Sequence, residues 1–154
     1  MIRKATEKDA DAIIKLLLQV HRVHSTIRPD LFKEGETKYT KDELIKVISD
    51  ESRPIFVYDE DGIKGYAFCI LEDFTKEHSL VPYKSLYIDD LCTDEKQRGK
   101  GIAHKLYEKV AEYAKSIGCY NLTLNVWEGN DKAKQFYQNL GMKTQKTVME
   151  TILK

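Results

Sequence analysis

The feature that most constrains this chain is an apolar stretch, residues 86–92, with two adjacent aspartates, Asp89 and Asp90, near its middle. Its aliphatic and aromatic residues are typical of a buried β-strand. Such a strand carries charge only where a polar task or partner requires it. A charged turn follows, and then residues 98–101 supply two glycines and two cations before an amphipathic helical pattern begins. The sequence therefore predicts a strand, a glycine-rich turn and a helix in direct succession.

This succession predicts an anion site at the start of the helix. The first backbone N–H groups of a helix lack intrahelical acceptors, and the helix dipole makes that end positive. Residues 101–105 contain no acid, and Arg98 and Lys100 add positive charge, so a pyrophosphate would fit. The loop is neither a Walker A loop nor a Rossmann fingerprint, since both glycine spacings are missing. A solvated basic surface turn is the alternative interpretation.

Composition and charge exclude several classes of protein. Hydrophobic residues make up 42% and charged residues 32% of the 154 residues, which is typical of one globular domain, here residues 1–154. The 25 Lys and Arg balance the 25 Asp and Glu, which argues against a general nucleic-acid or membrane-surface binder. Neither a transmembrane run nor a signal peptide is visible, and three widely spaced cysteines favour a reducing compartment. We therefore expect a cytoplasmic protein without a metal site.

Periodicity predicts the element order β-α-α-β-β-β-α-β-α-β. Capping boxes at Thr6 and Thr40 introduce the first two helices, the first of which extends to about His24. The predicted strands are residues 1–5, 55–58, 63–71, 86–93, 122–127 and 142–153. Helices follow the fourth and fifth strands, so we expect an α/β (α+β) fold with a mixed sheet and helices on both faces. Gly65 in the third strand predicts a bulge or a close backbone approach.

Two segments of the second half resemble motifs of the GNAT superfamily of acetyl-CoA-dependent N-acetyltransferases. Residues 98–103 match the family pattern of Gln or Arg, two residues, Gly, one residue, and Gly or Ala. Residues 130–142 resemble the family segment Asn-x-x-Ala-x-x-Phe-Tyr-x-x-x-Gly-Phe, with Met142 in place of the final Phe. The element order is also similar. Residues 86–91 further resemble the diamine and polyamine N-acetyltransferases, although Asp89 replaces their usual glutamate.

The resemblance implies a GNAT-like, mostly antiparallel sheet that is splayed between its fourth and fifth strands. The pantetheine arm of acetyl-CoA would lie in the gap, with a backbone N–H of Leu91 or Cys92, beside Thr93, on the thioester carbonyl. Asn130 would bind the cofactor arm, or would serve only as a helix cap. The pyrophosphate would be bound by backbone N–H groups of Arg98, Gly99, Lys100, Gly101, Ile102 and Ala103.

Two proton transfers then need side chains. Asp89 or Asp90 would take a proton from the substrate ammonium, and the family match favours Asp89. Their side chains should point to opposite faces of the strand unless a bulge intervenes, and the other carboxylate would then be structural. Tyr137 would protonate the leaving thiolate, with a core tyrosine as the alternative. Cys92 is an unfavourable nucleophile, since the sequence pairs no histidine with it.

The predicted function is therefore transfer of acetyl from acetyl-CoA to a primary amine, preferably of a small molecule, by direct attack. Two alternatives stay open: an acyl-CoA-binding sensor without turnover, and an acetyltransferase of protein N-termini or lysines. His21, His24 and residues 25–38 could form a wall or lid of the substrate pocket, or could be plain connections. The last predicted strand could also pair across a homodimer.

Overall fold

The computed structural model describes residues 1–154, and five strands form one sheet within it. The strands are β1 (Ile2–Lys4), β2 (Ile55–Asp59), β3 (Ile63–Asp73), β4 (Lys84–Thr93) and β5 (Asn121–Leu124). They lie side by side in sequence order. The first four are antiparallel to their neighbours, whereas β5 runs parallel to β4. The predicted mixed, mostly antiparallel sheet is confirmed.

Four α-helices accompany the sheet: α1 (Ala10–Ile27), α2 (Lys41–Ile48), α3 (Ile102–Ser116) and α4 (Asp131–Asn139). Both predicted capping boxes form, with the Thr6 N–H donating to Asp9 Oδ2 at 2.8 Å and the Glu43 N–H to Thr40 Oγ1 at 3.2 Å. A 3₁₀ turn, Glu7–Asp9, precedes α1, so the α-helix starts and ends later than predicted. None of these helices combines the length and the apolar character needed to cross a membrane.

Each face of the sheet has its own hydrophobic core, because residues along a strand alternate between the faces. On one face α1 and α2 bury Ile13, Leu17 and Leu44 against Tyr66 and Phe68 of β3. On the other face α3 packs on the sheet, and the buried residues there include Phe56, Cys69, Leu86, Ile88, Ile102, Leu106 and Val110. Helices on both faces, as predicted, shield the sheet from water.

Gly65 explains how the start of α3 comes so close to the sheet. A Cβ atom at this position would lie 2.8 Å from the Cys92 carbonyl oxygen and 3.0 Å from Ile102 Cγ2. No larger residue fits without moving the backbone of β4 or the first turn of α3. The predicted close backbone approach is confirmed, and it fixes the N-terminus of α3 beside the end of β4.

The last predicted strand is wrong. Residues 142–153 form no strand, and no backbone hydrogen bond involves residues 143–154. The segment has the composition of a strand, but a strand exists only where a neighbour pairs with it, and no strand of the same chain does. The fifth strand is also shorter than predicted, because β5 ends at Leu124 rather than at Trp127.

Candidate functional site

The candidate site lies where β4 and β5 separate. The two strands pair only from Ser85 with Asn121 to Ile88 with Leu124. Beyond Ile88, β4 continues to Thr93 but pairs only with β3. Backbone groups of β4 that face the missing neighbour are therefore available to a ligand, as the splayed family fold implies. Thr93 Oγ1 is buried here without any hydrogen-bond partner, which also suits a ligand at this position.

A β-bulge at Asp89 places the two aspartates. Asp90 lies opposite Phe68 and Ile88 lies opposite Cys69, so Asp89 is the extra residue that has no partner on β3. A bulge of this kind interrupts the alternation of side chains along the strand. Lys38 accordingly contacts the first carboxylate, with Nζ 2.6 Å from Asp89 Oδ2, and its charge also acts on the second. The structure therefore brings Asp89 and Asp90 to one site, beside one cation.

Asp90 lies beyond Ile88, on the part of β4 that β5 leaves unpaired, and we name this opening between the two strands the cleft. Burial raises the pKa of its carboxyl to about 6, although the Tyr66 hydroxyl, which donates to Asp90 Oδ2 at 2.6 Å, partly opposes the shift. The residue still keeps partial contact with solvent. A carboxyl group that is surrounded by protein yet reachable from outside, with a pKa near neutrality, has the properties of a general base.

Tyr137 of α4 faces the same cleft. Burial raises the pKa of its phenol, and the negative charge of Asp90 raises it further. Within the chain, the Tyr137 hydroxyl has no hydrogen-bond partner. It is therefore protonated at neutral pH and free to donate to a ligand. Asn130 fixes the start of α4, since its Oδ1 accepts a hydrogen bond from the Ala133 N–H at 3.3 Å.

Cys92 does not have the properties of a nucleophile. Its Sγ is buried, lies 3.8 Å from the Leu16 carbonyl oxygen, and contacts no histidine. Burial raises the pKa of the thiol to about 12, so the thiolate is scarce at neutral pH. No group of three or more His, Cys, Asp or Glu side chains is arranged to hold a metal ion.

The loop before α3 forms a cradle of seven backbone N–H groups, residues 98–104, which donate no hydrogen bond within the chain. The first helical bond in this region runs from Lys105 to the Gly101 carbonyl. Gly101 has a φ of 76°, in the left-handed region, and the first turn of α3 contains no acid. A Cβ atom built on Gly99 or Gly101 would meet no atom within 4 Å, so the space beside the loop is open.

A group of aromatic side chains includes His24 and Phe32, which were candidates for a pocket wall, and adds Trp127, which was not. The ring of Phe32 lies 5.1 Å from that of His24 and 5.7 Å from that of Trp127, between centroids. Arg28 lies over Trp127 at 5.5 Å. Burial lowers the pKa of His24, and the nearby charges of His21 and Lys38 lower it further. Residues 25–38 therefore run beside the cleft, and we name His24, Phe32 and Trp127 the aromatic wall.

Comparisons with known proteins identify the family. The model of the acetyltransferase (GNAT) family matches residues 17–142, most of the chain. The chain belongs to the GNAT family. The family expected from the two sequence motifs is thus confirmed, although no comparison tests the role of any single residue.

Three proteins illustrate what this GNAT chain is similar to. Thialysine N-epsilon-acetyltransferase of Bos taurus is 28% identical over 151 residues, which cover 92% of this chain and 82% of the relative. Among solved structures, a mutant BH1408 protein of Bacillus halodurans has 32% identity and a TM-score of 0.93, with 99% of both chains covered. Glucosamine-6-phosphate N-acetyltransferase of Arabidopsis thaliana, 23% identical, shares the fold with a TM-score of 0.73 over 100% of this chain and 98% of that one.

Proposed function

We propose that this GNAT chain transfers the acetyl group of acetyl-CoA to a primary amine of a small molecule by direct attack. Three features around the separation of β4 and β5 support the proposal. These are the cradle of free N–H groups, the carboxyl of Asp90 with its raised pKa, and the unpartnered phenol of Tyr137.

The residues of the cradle fit the pyrophosphate of acetyl-CoA. The N–H groups of residues 98–104 donate no hydrogen bond within the chain, the positive end of α3 lies there, and the space beside Gly99 and Gly101 is open. The backbone of Leu91 or Cys92, with Thr93 beside it, would hold the thioester carbonyl and stabilise the negative charge that develops on its oxygen. Asn130 would bind the cofactor arm while it also caps α4. Acetyl-CoA supplies an electrophilic thioester, and the protein supplies positioning and proton transfer.

Asp90 is the better candidate for the base, although the family match favours Asp89. A base works best when its pKa lies near the working pH, and burial brings Asp90 to about 6. Asp89 is already paired with Lys38. In the proposed reaction Asp90 takes a proton from the substrate ammonium, directly or through a water molecule. Asp89 then holds the positive charge of the acceptor, or of Lys38, at the mouth of the cleft.

Tyr137 completes the transfer. As the amine nitrogen bonds to the carbonyl carbon and the carbon–sulfur bond breaks, the phenol gives its proton to the departing thiolate. The resulting phenolate then takes the remaining excess proton from the acetylated nitrogen, which leaves a neutral amide and a neutral phenol. The raised pKa of Tyr137 keeps that proton in place until a strong base arrives. The raised pKa of Cys92 supports a direct attack, since its thiol is a poor nucleophile for a covalent intermediate.

The surroundings of the cleft favour a small acceptor. Lys38 reaches Asp89 and Phe32 packs against Trp127, so two side chains of the segment after α1 cover part of the opening and leave less room for a long peptide. The two carboxylates favour a cationic acceptor. The names of relatives such as thialysine N-epsilon-acetyltransferase and glucosamine-6-phosphate N-acetyltransferase point to small amines as well.

The proposal is tested by measuring the free thiol that is released from acetyl-CoA in the presence of each candidate acceptor. The acceptors are polyamines, amino acids with an amine at the end of the side chain, amino sugars and short peptides. We expect release with at least one small amine and formation of its N-acetyl product by mass spectrometry. Tight acetyl-CoA binding without release by any acceptor would favour the sensor. Release with peptides alone would favour a protein acetyltransferase.

A further inference from the structure

Tyr66 of β3 is a core residue whose polar end reaches the cleft. Its side chain is 0% exposed, and its ring packs edge-on against Phe68, with 4.9 Å between the centroids. A buried hydroxyl needs a hydrogen-bond partner, because it has lost its bonds to water. The Tyr66 hydroxyl donates to Asp90 Oδ2 at 2.6 Å. Tyr66 therefore connects the hydrophobic core with the carboxyl group that we propose as the base.

The bulge in β4 brings Asp90 to the face of the sheet on which Tyr66 lies. Ile88, before the bulge, belongs to the core beneath α3. In a regular strand the side chain two residues later would point to that same face. Asp90 instead lies opposite Phe68, which belongs to the core beneath α1 and α2. Tyr66, two positions before Phe68 on β3, belongs to this second core, so it is a diagonal neighbour of Asp90.

The direction of the hydrogen bond between Tyr66 and Asp90 is fixed. Burial raises the pKa of Tyr66 well above its usual range, and the charge of Asp90 raises it further, so the phenol keeps its proton at neutral pH. A protonated phenol donates, and its hydrogen bond to an ionised carboxylate is stronger than one to a neutral carboxyl group. The bond therefore stabilises the charged form of Asp90, which is the form that a base requires.

The other charged or titratable groups around Asp90 come from two elements and one loop: Asp89 and Cys92 of β4, Tyr137 of α4, and Lys38 of the loop after α1. Burial has the largest effect on the pKa of Asp90, which is raised to about 6, and the Tyr66 hydrogen bond has the next largest effect and lowers it. The charge of Asp89 raises this pKa and that of Lys38 lowers it, each by less. Burial raises the pKa of Cys92 and of Tyr137, so both keep their protons near pH 6. Tyr66 is therefore the group that most favours the ionised form of Asp90.

We propose that Tyr66 is a positioning residue of the reaction, which acts through Asp90 without touching the acceptor itself. Its hydroxyl holds Oδ2 of the carboxylate, so the acceptor ammonium, or a bridging water molecule, meets Oδ1. The ring is held by the core, so the carboxylate keeps this orientation while the acceptor enters. The bond also extends the reaction to lower pH, because Asp90 stays ionised there. This role rests on the proposed function, whereas the effect of Tyr66 on the ionisation of Asp90 does not.

Tyr66→Phe tests the role in the reaction, because it removes one oxygen and keeps the ring. The loss of a hydrogen bond to a charged group should raise the pKa of Asp90 by about one to two units. The acidic limb of the pH profile should move upward by the same amount, so kcat should fall about ten-fold at pH 6 and much less at pH 9.

Tyr39→Phe is the matched control for Tyr66→Phe. The Tyr39 ring also packs on Phe68, and its hydroxyl also has a partner, Arg53 Nη2 at 2.6 Å, but this partner is not a carboxylate. Tyr39→Phe should therefore leave the acidic limb in place. A limb that stays in place in Tyr66→Phe, or that moves equally in both variants, would contradict the proposal.

A titration followed by carbon NMR needs no activity. The carboxyl carbon of Asp90, assigned by its absence in Asp90→Asn, should titrate with a midpoint of about 6 in the original chain and at higher pH in Tyr66→Phe. In the original chain the Cζ carbon of Tyr66 should shift with the same midpoint, which keeps the test decisive if Tyr66→Phe does not fold. Equal Asp90 midpoints in the two proteins, or a Tyr66 carbon that does not follow Asp90, would overturn the proposal. If the original chain releases no thiol with any acceptor, the proposed function fails, and the titration still decides whether Tyr66 controls Asp90.

Discussion

The two halves of the candidate site are built in different ways. The cradle is a run of consecutive backbone N–H groups, residues 98–104, before one helix. The cleft, where we propose that the acceptor binds, is a group of side chains from four places. Lys38 comes from the loop after α1, Tyr66 from β3, Asp89 and Asp90 from β4, and Tyr137 from α4. The comparison teaches that a backbone site depends on local conformation, whereas a side-chain site depends on the whole fold.

This difference predicts different responses to mutation. A cradle made of backbone atoms loses function only when a residue changes its conformation, its space or its charge. A cleft made of side chains can lose one chemical group while its shape and its neighbours stay in place. Four substitutions test this contrast, the first in the cradle and the others in the cleft.

Gly101→Glu should have the largest effect, on acetyl-CoA binding. The open space beside Gly101 can take the side chain, but a carboxylate there opposes the pyrophosphate, and like charges in contact cost several kcal/mol, roughly a 1,000-fold loss of affinity. Gly101→Gln is the matched control, because glutamine has the size of glutamate and the same strain at a φ of 76° but adds no charge. Calorimetry should show that Gly101→Gln keeps most of the affinity that Gly101→Glu loses. Binding by Gly101→Glu at the original affinity would place the pyrophosphate elsewhere.

Tyr137→Phe should lower kcat by about 100- to 1,000-fold, the usual contribution of a positioned proton donor. The substitution removes one hydroxyl that has no partner in the chain, so folding and acetyl-CoA affinity should be unchanged. Tyr107→Phe is the control, since Tyr107 lies near Tyr137 and carries the same group. Thiol-release kinetics on both variants give the answer, and equal kcat values for Tyr137→Phe and the original chain would remove Tyr137 from the mechanism.

Asp90→Asn should lower kcat by about 100-fold and remove the acidic limb of the pH profile. The original chain should gain activity as the pH rises through about 6, where Asp90 loses its proton. Asp89→Asn, the adjacent control, should keep that limb. If the limb disappears with Asp89→Asn and stays with Asp90→Asn, the two roles are reversed.

The Asp90→Asn variant should also be more stable than the original chain above pH 6. The pKa of Asp90 is raised from 3.8 to about 6 in the folded chain, so its ionisation destabilises the fold. This destabilisation is absent below the unfolded pKa of 3.8. It grows as the pH rises from 3.8 to about 6, and it is constant at higher pH. Asp90→Asn should therefore raise the free energy of unfolding at pH 8 by up to about 3 kcal/mol, and not at pH 3. Urea unfolding at both pH values measures it.

Lys38→Met should have the smallest effect, on the KM of the amine. Lys38 competes with a cationic acceptor for Asp89, and its side chain is half exposed, so its removal should lower KM by only about two- to five-fold. Lys38→Arg keeps the charge and should keep the original KM. A higher KM for Lys38→Met would instead mean that Lys38 helps to bind the acceptor.

Much of the fold could be predicted from local patterns. The caps at Thr6 and Thr40, the apolar faces of the helices and the close approach at Gly65 are all encoded by neighbouring residues, and the structure contains them. The last strand failed for the opposite reason, because residues 142–153 have strand character but no strand of the same chain beside them. That residues 1–154 act as one domain stays a prediction.

The site could be predicted only where its residues are close in sequence or belong to a family motif. The cradle and Tyr137 lie within such motifs. Lys38 carried no signal, because its contact with Asp89 joins residues 51 positions apart. The contact of Phe32 with Trp127 likewise joins distant segments. The bulge at Asp89 arises from the pairing with β3, which the residues of β4 alone do not reveal.

Direct attack requires both halves of the site to be occupied at the same time. Initial rates measured over a grid of acetyl-CoA and amine concentrations test this requirement most directly. We predict double-reciprocal lines that intersect, because the cradle must hold acetyl-CoA while the cleft holds the amine. Parallel lines, together with an acetylated protein isolated in the absence of amine, would contradict direct transfer and would require a covalent intermediate.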